Sequence, residues 1–351
     1  MPLKSFELVR ILFLSSIAFL FAFAWAPFLV HQLKQWKMGK SIRAAADAPI
    51  FAMLHAKKQG TPTMGGLLIW GTVLFLAILF SMIAPHVPAN SLLGHLNFLS
   101  RSETLLPLGA LVASAIVGLL DDYYNVKGIG PKGGGLRMRH RMLIYTAIAA
   151  VGAWWFRMKL DWDLLHVPFL GDFNIGMWYV PFFILVIVAT AFSVNETDGL
   201  DGLAGGTLMT SFAAYAIISF SQGRYDLAIF CGVILGALLA FLWFNIHPAA
   251  FFMGDTGAMS LGVTLGIVAM LTNTAFILPV IGLVFVLESL SVITQLSWKR
   301  IFKRKLFRSA PFHHHLEAID WPEPQIVMRL WVVSMVSAAL GVALILLDAL
   351  M

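Results

Sequence analysis

Charge is what this chain has least of. Of its 351 residues only 12% are Asp, Glu, Lys or Arg, where a soluble domain carries about 25%, and 59% are hydrophobic. That shortage excludes the soluble globular class. Cysteine is nearly missing as well. Cys231 stands alone inside an apolar run, so no disulfide can close within the chain, and it reads as a small core residue. No tandem repeat of fixed period and no low-complexity segment is present, which excludes a repeat array.

What the chain has instead is long apolar runs. Hydrophobic stretches of about 17–25 residues cross a bilayer as helix. Ten such spans can be drawn, near residues 8–30, 65–84, 104–120, 140–157, 177–194, 203–220, 226–244, 257–273, 276–297 and 327–347. The expected fold is therefore an all-α integral membrane protein, a single polytopic domain over residues 1–351. The first run, Ile11–Val30, lacks a small-residue cleavage site and reads as a retained span. An even number of spans puts both termini on one side. Eighteen of the 24 lysines and arginines fall in the loops after spans 1, 3 and 9. By the positive-inside rule the odd-numbered loops are cytoplasmic, near 31–64, 121–140, 195–202, 245–256 and 298–326, and both termini face outward. The net charge of +6 comes from these blocks, which interrupt membrane spans, so a nucleic-acid partner is not expected.

The acids follow a separate logic. Asp121 and Asp122 end span 3, Glu196, Asp198 and Asp201 lie between spans 5 and 6, and Asp255 opens span 8. All six sit at ends of spans expected on the cytoplasmic face. Carboxylates at the mouth of an apolar run are costly to desolvate and require a cation, a basic partner or water. The outward segment Leu164–Phe173 alternates polar and apolar residues and fits a short surface hairpin without chemistry.

Five polar motifs share the cytoplasmic face. Gln59–Gly66, Q-G-T-P-T-M-G-G after Lys57 and Lys58, offers basic groups, hydroxyls and free amides suited to a phosphate or nucleotide. Asp121 and Asp122 point about 100° apart on a helix, so one can face a site while the other engages a base. The basic loop K-G-I-G-P-K-G-G-G-L-R-M-R-H-R follows them. In Asn195–Gly206, Asp198 and Asp201 share one face of a turn. In F-F-M-G-D-T-G, Asp255 reads as a helix cap with two aromatics before it, a face that can stack a base beside a metal-holding acid. The fifth motif, Phe307–Pro324, holds three successive histidines that cannot all face one ion, and the zinc spacing of His at i and i+4 is missing. Carboxylates with a hard cation, bases and aromatics together point to phosphoryl transfer, where positioning and charge neutralisation dominate.

Taken in order, G-T-P-T-M-G-G, D-D-Y, N-x-T-D-G-L-D-G-L-A, F-M-G-D-T-G and A-P-x-H-H-H-x-E…W-P-E-P resemble the phospho-N-acetylmuramoyl-pentapeptide transferases of the polyprenyl-phosphate N-acetylhexosamine-1-phosphate transferase superfamily. The resemblance covers nearly the whole chain. It implies transfer of phospho-N-acetylmuramoyl-pentapeptide from UDP-N-acetylmuramoyl-pentapeptide to undecaprenyl phosphate, giving lipid I and UMP. It also implies Mg²⁺ as cofactor, a homodimer among membrane lipids, and the bacterial cytoplasmic (inner) membrane.

By motif, the resemblance implies Asp255 as the Mg²⁺ ligand, with Asp121, Asp122 and His313 as further catalytic groups. Phe252 would stack on uracil, with Lys58, Gly199, Leu200, Asp201 and Gly254 lining the nucleotide pocket. Thr63, Asn195 and Asp198 would lie near the sugar diphosphate. Gln295, His314 and His315 would approach the peptide side, and Arg139 would match a basic residue of the second cytoplasmic loop. Two positions depart from the family pattern: Asn125 where Lys is common, with Lys127 two further on, and Phe192 where Asn is common. Both bear on local phosphate or sugar contacts. Glu288, in the shared pattern E-S-L-S-V, reads as hydrogen-bonded within the bundle. The competing readings are a sibling transferase using UDP-N-acetylglucosamine and a transporter. A transporter would place its acids near mid-membrane, whereas here all but Glu288 gather at one face.

Overall fold

The structure is a computed structural model and describes residues 3–39, 58–88, 91, 93–130 and 134–351. Its helices, in chain order, are α1 (Leu3–Gln35), α2 (Gly66–Ile83), α3 (Leu105–Val126), α4 (Met138–Lys159), α5 (Tyr179–Thr197), α6 (Leu203–Ser221), α7 (Tyr225–Asn245), α8 (Gly254–Leu271), the single turn α9 (Leu278–Ile281), α10 (Leu283–Phe302), the short α11 (Phe312–Glu317) and α12 (Glu323–Asp348). Strands β1 (Leu164–Val167) and β2 (Gly171–Asn174) pair antiparallel, with Leu165 opposite Phe173. That hairpin lies where the alternating segment predicts one. Much of the expected 31–64 loop, residues 40–57, and part of the glycine-rich loop, 131–133, lie outside the described residues.

Nine of the ten expected spans each coincide with one helix, and the span 276–297 is broken at Gly282 into α9 and α10; among the described residues eight helices are long and apolar enough to cross a membrane. The chain is thus an all-α, multi-pass membrane protein. The two long helices outside that set are α4 and α10, for a simple reason. Helix α4 opens on Arg139 and Arg141 and closes on Arg157 and Lys159, and α10 carries Glu288, Lys299 and Arg300.

Helix α8 is the axis of the bundle. Its sequence is apolar or small on every side, and nearly every residue after Asp255 is buried. Of its hydroxyls, Ser260 turns back to the Thr256 carbonyl at 2.6 Å and Thr264 to the Ser260 carbonyl at 2.7 Å, while Thr256 donates across to the Ala115 carbonyl of α3 at 2.7 Å. Helices α3 and α5 pack directly on it. The α3 contact is backbone-close because Gly118 has no side chain: a Cβ there would collide with the Asp255 carbonyl. One turn beyond Gly118 the chain reaches Asp121 and Asp122.

The remote end of the bundle is tied by different groups. His166 on β1 bridges two carboxylates, Nδ1 at 2.7 Å from Asp172 and Nε2 at 2.6 Å from Asp348 at the end of α12. The Phe169 amide donates to Asp348 at 2.6 Å, and the His166 amide donates to Asn273 just beyond α8 at 3.1 Å. Burial alone would depress the His166 imidazolium, but the Asp348 and Asp172 carboxylates outweigh it and raise its pKa. The clamp's contribution is therefore present in full below the ordinary histidine value of about 6.5 and fades as pH rises through the elevated folded value. Hydrogen exchange, corrected for intrinsic rates, is expected to lose protection over 164–174 as pH rises, and His166→Ala to show weak protection throughout. A wild-type hairpin whose protection ignores pH would rule the clamp out.

Candidate functional site

The opposite end of the bundle gathers the acids. Asp121 and Asp122 occupy the last turns of α3, and their divergent directions give them different partners. Asp122 accepts from the first amides of α8, Asp255 N at 3.1 Å and Thr256 N at 3.0 Å, with the Thr63 hydroxyl at 3.4 Å. A helix N-terminus buried against apolar neighbours leaves donors that need an acceptor, and Asp122 supplies one from another helix. Gly254, at φ 73°, makes the turn that delivers the chain into α8, a conformation open to glycine at little cost.

Asp121 turns toward Arg141 on α4. The Arg141 Nε lies 2.7 Å from Asp121 Oδ2, yet its N–H is not aimed at that oxygen, which is buried and electrostatically paired without a hydrogen bond. The other oxygen accepts from the Leu136 amide at 2.5 Å. The same guanidinium reaches Asp255 Oδ2 at 2.7 Å and the Asn195 side-chain oxygen at 3.2 Å. Asn195 in turn donates to Asp255 Oδ1 at 2.6 Å. One arginine thus joins three helices through two carboxylates and an amide. Asp198 accepts from the Gly254 amide at 3.2 Å, closing the ring from the α5–α6 turn.

A second polar group forms the rim. Lys58 Nζ lies 2.7 Å from Asp201 Oδ1 and 2.5 Å from Glu323 Oε1, the latter at the start of α12. The Lys58 ammonium also stands 5.9 Å above the Phe252 ring. His247 Nδ1 is 2.9 Å from Asp201 Oδ2. Below them, the Gly202 amide donates to Asn245 at 3.0 Å, and Asn245 donates to the Phe251 carbonyl at 2.8 Å, fixing the turn to the F-F-M-G-D segment. Leu200 is buried in a small apolar cluster with Leu203, Val284 and Ile326, which anchors the turn from its other side.

The three histidines take three partners, as successive helical directions require. His313 is fully buried, its Nδ1 3.0 Å and its amide 3.2 Å from Glu288 Oε2. Burial opposes its imidazolium, but the Glu288 carboxylate prevails and raises the pKa. Its Nε2 lies against the backbone of Gly199. His314 pairs with Glu317 at 2.6 Å, and His315 Nδ1 accepts from the Arg308 amide at 3.3 Å. Gln295 spends its amide on the loop beside it, accepting from the Leu306 and Phe307 amides and donating to the Phe307 carbonyl at 3.1 Å.

Asp121, Asp122, Asn195, Asp198 and Asp255 are therefore brought together, with Thr63 and Gly254 against Asp122. Lys58, Asp201 and Phe252 form the adjacent rim. Arg139 is exposed and makes no ion pair among the described residues; Arg141 occupies the centre. The signal for Arg141 is its register, since Arg141, Tyr145, Ala149 and Ala153 recur every four residues on the buried face of α4. Glu323 was legible only as the acid of W-P-E-P, and His247 carried no pattern. For a divalent ion, Asp255 and Asp121 provide hard oxygen donors, and the buried Asp121 Oδ2 without a hydrogen bond fits such a ligand. Arg141 between the two carboxylates marks the same preference for positive charge.

Comparison with known proteins follows the same residues. A family model described as Glycosyl transferase family 4 matches residues 104–273. A signature described as Phospho-N-acetylmuramoyl-pentapeptide-transferase signature 1 matches residues 58–69, which include the Lys58–Thr63 segment of the site. A phospho-N-acetylmuramoyl-pentapeptide-transferase of Chloroflexus aggregans is similar at 38% identity, covering 96% of this chain and 90% of its own length. One from Geobacillus thermodenitrificans is 37% identical over 93% of this chain and 95% of its own length. One from Desulforapulum autotrophicum is 35% identical over 93% and 90%.

If Asp122 holds the start of α8, its removal should cost what a lost helix cap costs. Asp122→Ala is expected to destabilise the bundle by roughly 1–2 kcal/mol, read as a lower thermal midpoint in detergent. Asp122→Asn, which keeps one oxygen acceptor, is expected to retain part of that. Equal midpoints for wild type and Asp122→Ala would remove the capping role.

Proposed function

The chain belongs to the phospho-N-acetylmuramoyl-pentapeptide transferase family, and from that premise we propose that it makes lipid I. In this reading it transfers phospho-N-acetylmuramoyl-pentapeptide from UDP-N-acetylmuramoyl-pentapeptide to undecaprenyl phosphate and releases UMP. The observation that carries it is Arg141 held between Asp121 and Asp255 beside Asn195, at the mouth of a membrane bundle. The topology that goes with it has ten crossings, both termini outward, the site on the cytoplasmic side of the bacterial inner membrane, and a homodimer.

An oxygen of the lipid phosphate attacks the β-phosphorus, and the bond from that phosphorus to the oxygen bridging to the α-phosphate breaks, so the electron pair leaves on UMP. When bound, Mg²⁺ would neutralise charge on the diphosphate, with Asp255 and Asp121 as its protein ligands. Arg141 supplies a fixed guanidinium beside the developing charge, oriented in advance by Asp121 and Asn195. Asp121 thus has two parts in this scheme, a ligand for the ion and an orienting partner for Arg141. The lipid phosphate has a second pKa near 6, so at neutral pH its attacking oxygen is already largely unprotonated and needs little help from a base. Phe252 and the Lys58–Asp201 pair offer an aromatic face and polar edge for uracil, while Gly199 and Gly202 admit His313 and Trp331 against the backbone of the turn beside them.

The test is UMP release by purified protein, with and without undecaprenyl phosphate, across a Mg²⁺ titration. Asp255→Ala is expected to lose at least about 10³-fold, and Arg141→Lys, which keeps the charge but not the fork, about 10²-fold in kcat. Equal turnover of UDP-N-acetylglucosamine would move the chain to the sibling activity, and near-normal Asp255→Ala would sink the metal assignment.

A further inference from the structure

The rim cluster contains more than a pocket wall. Asp201, His247 and Glu323 each present one donor atom, and the three atoms lie within 4.8 Å of one another. His247 Nδ1 is 2.9 Å from Asp201 Oδ2 and 3.6 Å from Glu323 Oε2. Donors around a tetrahedral zinc ion, at bonds of about 2.0–2.2 Å, stand about 3.3–3.6 Å apart. The two distances from His247 Nδ1 fall just below and at the top of that range.

The outer layer is also in place. Lys58 takes the other oxygen of each carboxylate, Asp201 Oδ1 and Glu323 Oε1. The Asp201 amide donates to Glu323 Oε1 at 2.8 Å, and the Ala249 amide donates to Asp201 Oδ2 at 3.2 Å. Hydrogen bonds of this kind orient ligating carboxylates and raise the affinity of a site. Asp201 is 4% exposed and held rigidly, whereas the His247 side chain is 41% exposed, so an ion has a path in. Two carboxylates and one ammonium leave a net negative charge for it to meet.

We propose that Asp201, His247 and Glu323 form a second cation site, distinct from the one at Asp255 and suited to a borderline divalent ion of the zinc class. An imidazole with two carboxylate oxygens matches zinc, while Mg²⁺ prefers six oxygens in an octahedron. Binding would take the Nδ1 lone pair of the neutral imidazole in place of its present contact with Asp201. The bound ion fastens the α5–α6 turn to the start of α12 beside Lys58 and Phe252. There it stands where the uridine is placed by the function proposed above, and so competes with the nucleotide. That consequence rests on the proposed function; the binding does not.

The experiment titrates ZnCl₂ into chelator-treated full-length protein in lipid nanodiscs by calorimetry, with Mg²⁺ as the control ion. The chain has ten histidines, so the informative quantity is the difference between variants. His247→Ala is expected to lose one zinc equivalent or to weaken one site by roughly tenfold or more, and Glu323→Gln to weaken the same site. X-ray absorption of the one-zinc complex should show a single imidazole among oxygens. Two variants guard against misfolding, and their zinc-free thermal midpoints are compared with wild type. Isotherms for both that match wild type overturn the site. In the turnover assay, zinc is expected to raise the KM for the UDP-sugar in wild type and much less in His247→Ala. Zinc bound at His247 without any change in KM overturns its competition with the nucleotide and leaves the metal site standing.

Discussion

The contact between the end of α3 and the start of α8 carries the rest of the structure. Helix α8 is buried along nearly its whole length, so its first amides have no water to turn to. The Asp122 carboxylate accepts from two of them, Asp255 N and Thr256 N, and Gly118 lets the backbones come close enough for it to do so. That one cap fixes where Asp255 emerges. From there the acid reaches Arg141 on α4 and Asn195 on α5.

Once Asp255 is placed, desolvation decides what surrounds it. Carboxylates crowded at the mouth of an apolar bundle repel one another and lose hydration, so they persist only with positive charge between them. Arg141 meets that need in the centre and Lys58 at the rim, and each bridges a pair of acids. The two groups are joined by the α5–α6 turn, which sends Asn195 and Asp198 to the centre and Asp201 to the rim. Its acids are parts of two different sites. The glycines among them keep the backbone thin, and the buried His313 lies beneath Gly199.

Much of this is legible in the sequence. The length of the apolar runs located every long helix, because a membrane span leaves no other way to satisfy its backbone. The alternation over Leu164–Phe173 located the hairpin. The motifs identified the acids, since a carboxylate at the end of an apolar run needs a reason to be there. Other features were hidden. Arg139 and Arg141 look alike in M-R-H-R, and only the face of α4 that packs inward separates them. Gln295 looks like a substrate ligand by motif, yet its amide is consumed by the Leu306–Phe307 backbone. The three histidines, which cannot all face one ion, take three separate partners that their spacing does not name.

The sequence by itself determined the class of the protein, its helices, the end at which its acids gather and the family to which it belongs. Hydrophobic length and local motif are properties of contiguous residues, so they survive without a fold. Only the tertiary structure decided which acid meets which base. Asp122 finds α8 across more than 130 positions, and Lys58 finds Glu323 across 265. Such pairs are set by burial and by the distance between charges in space, and nothing in their spacing along the chain encodes either.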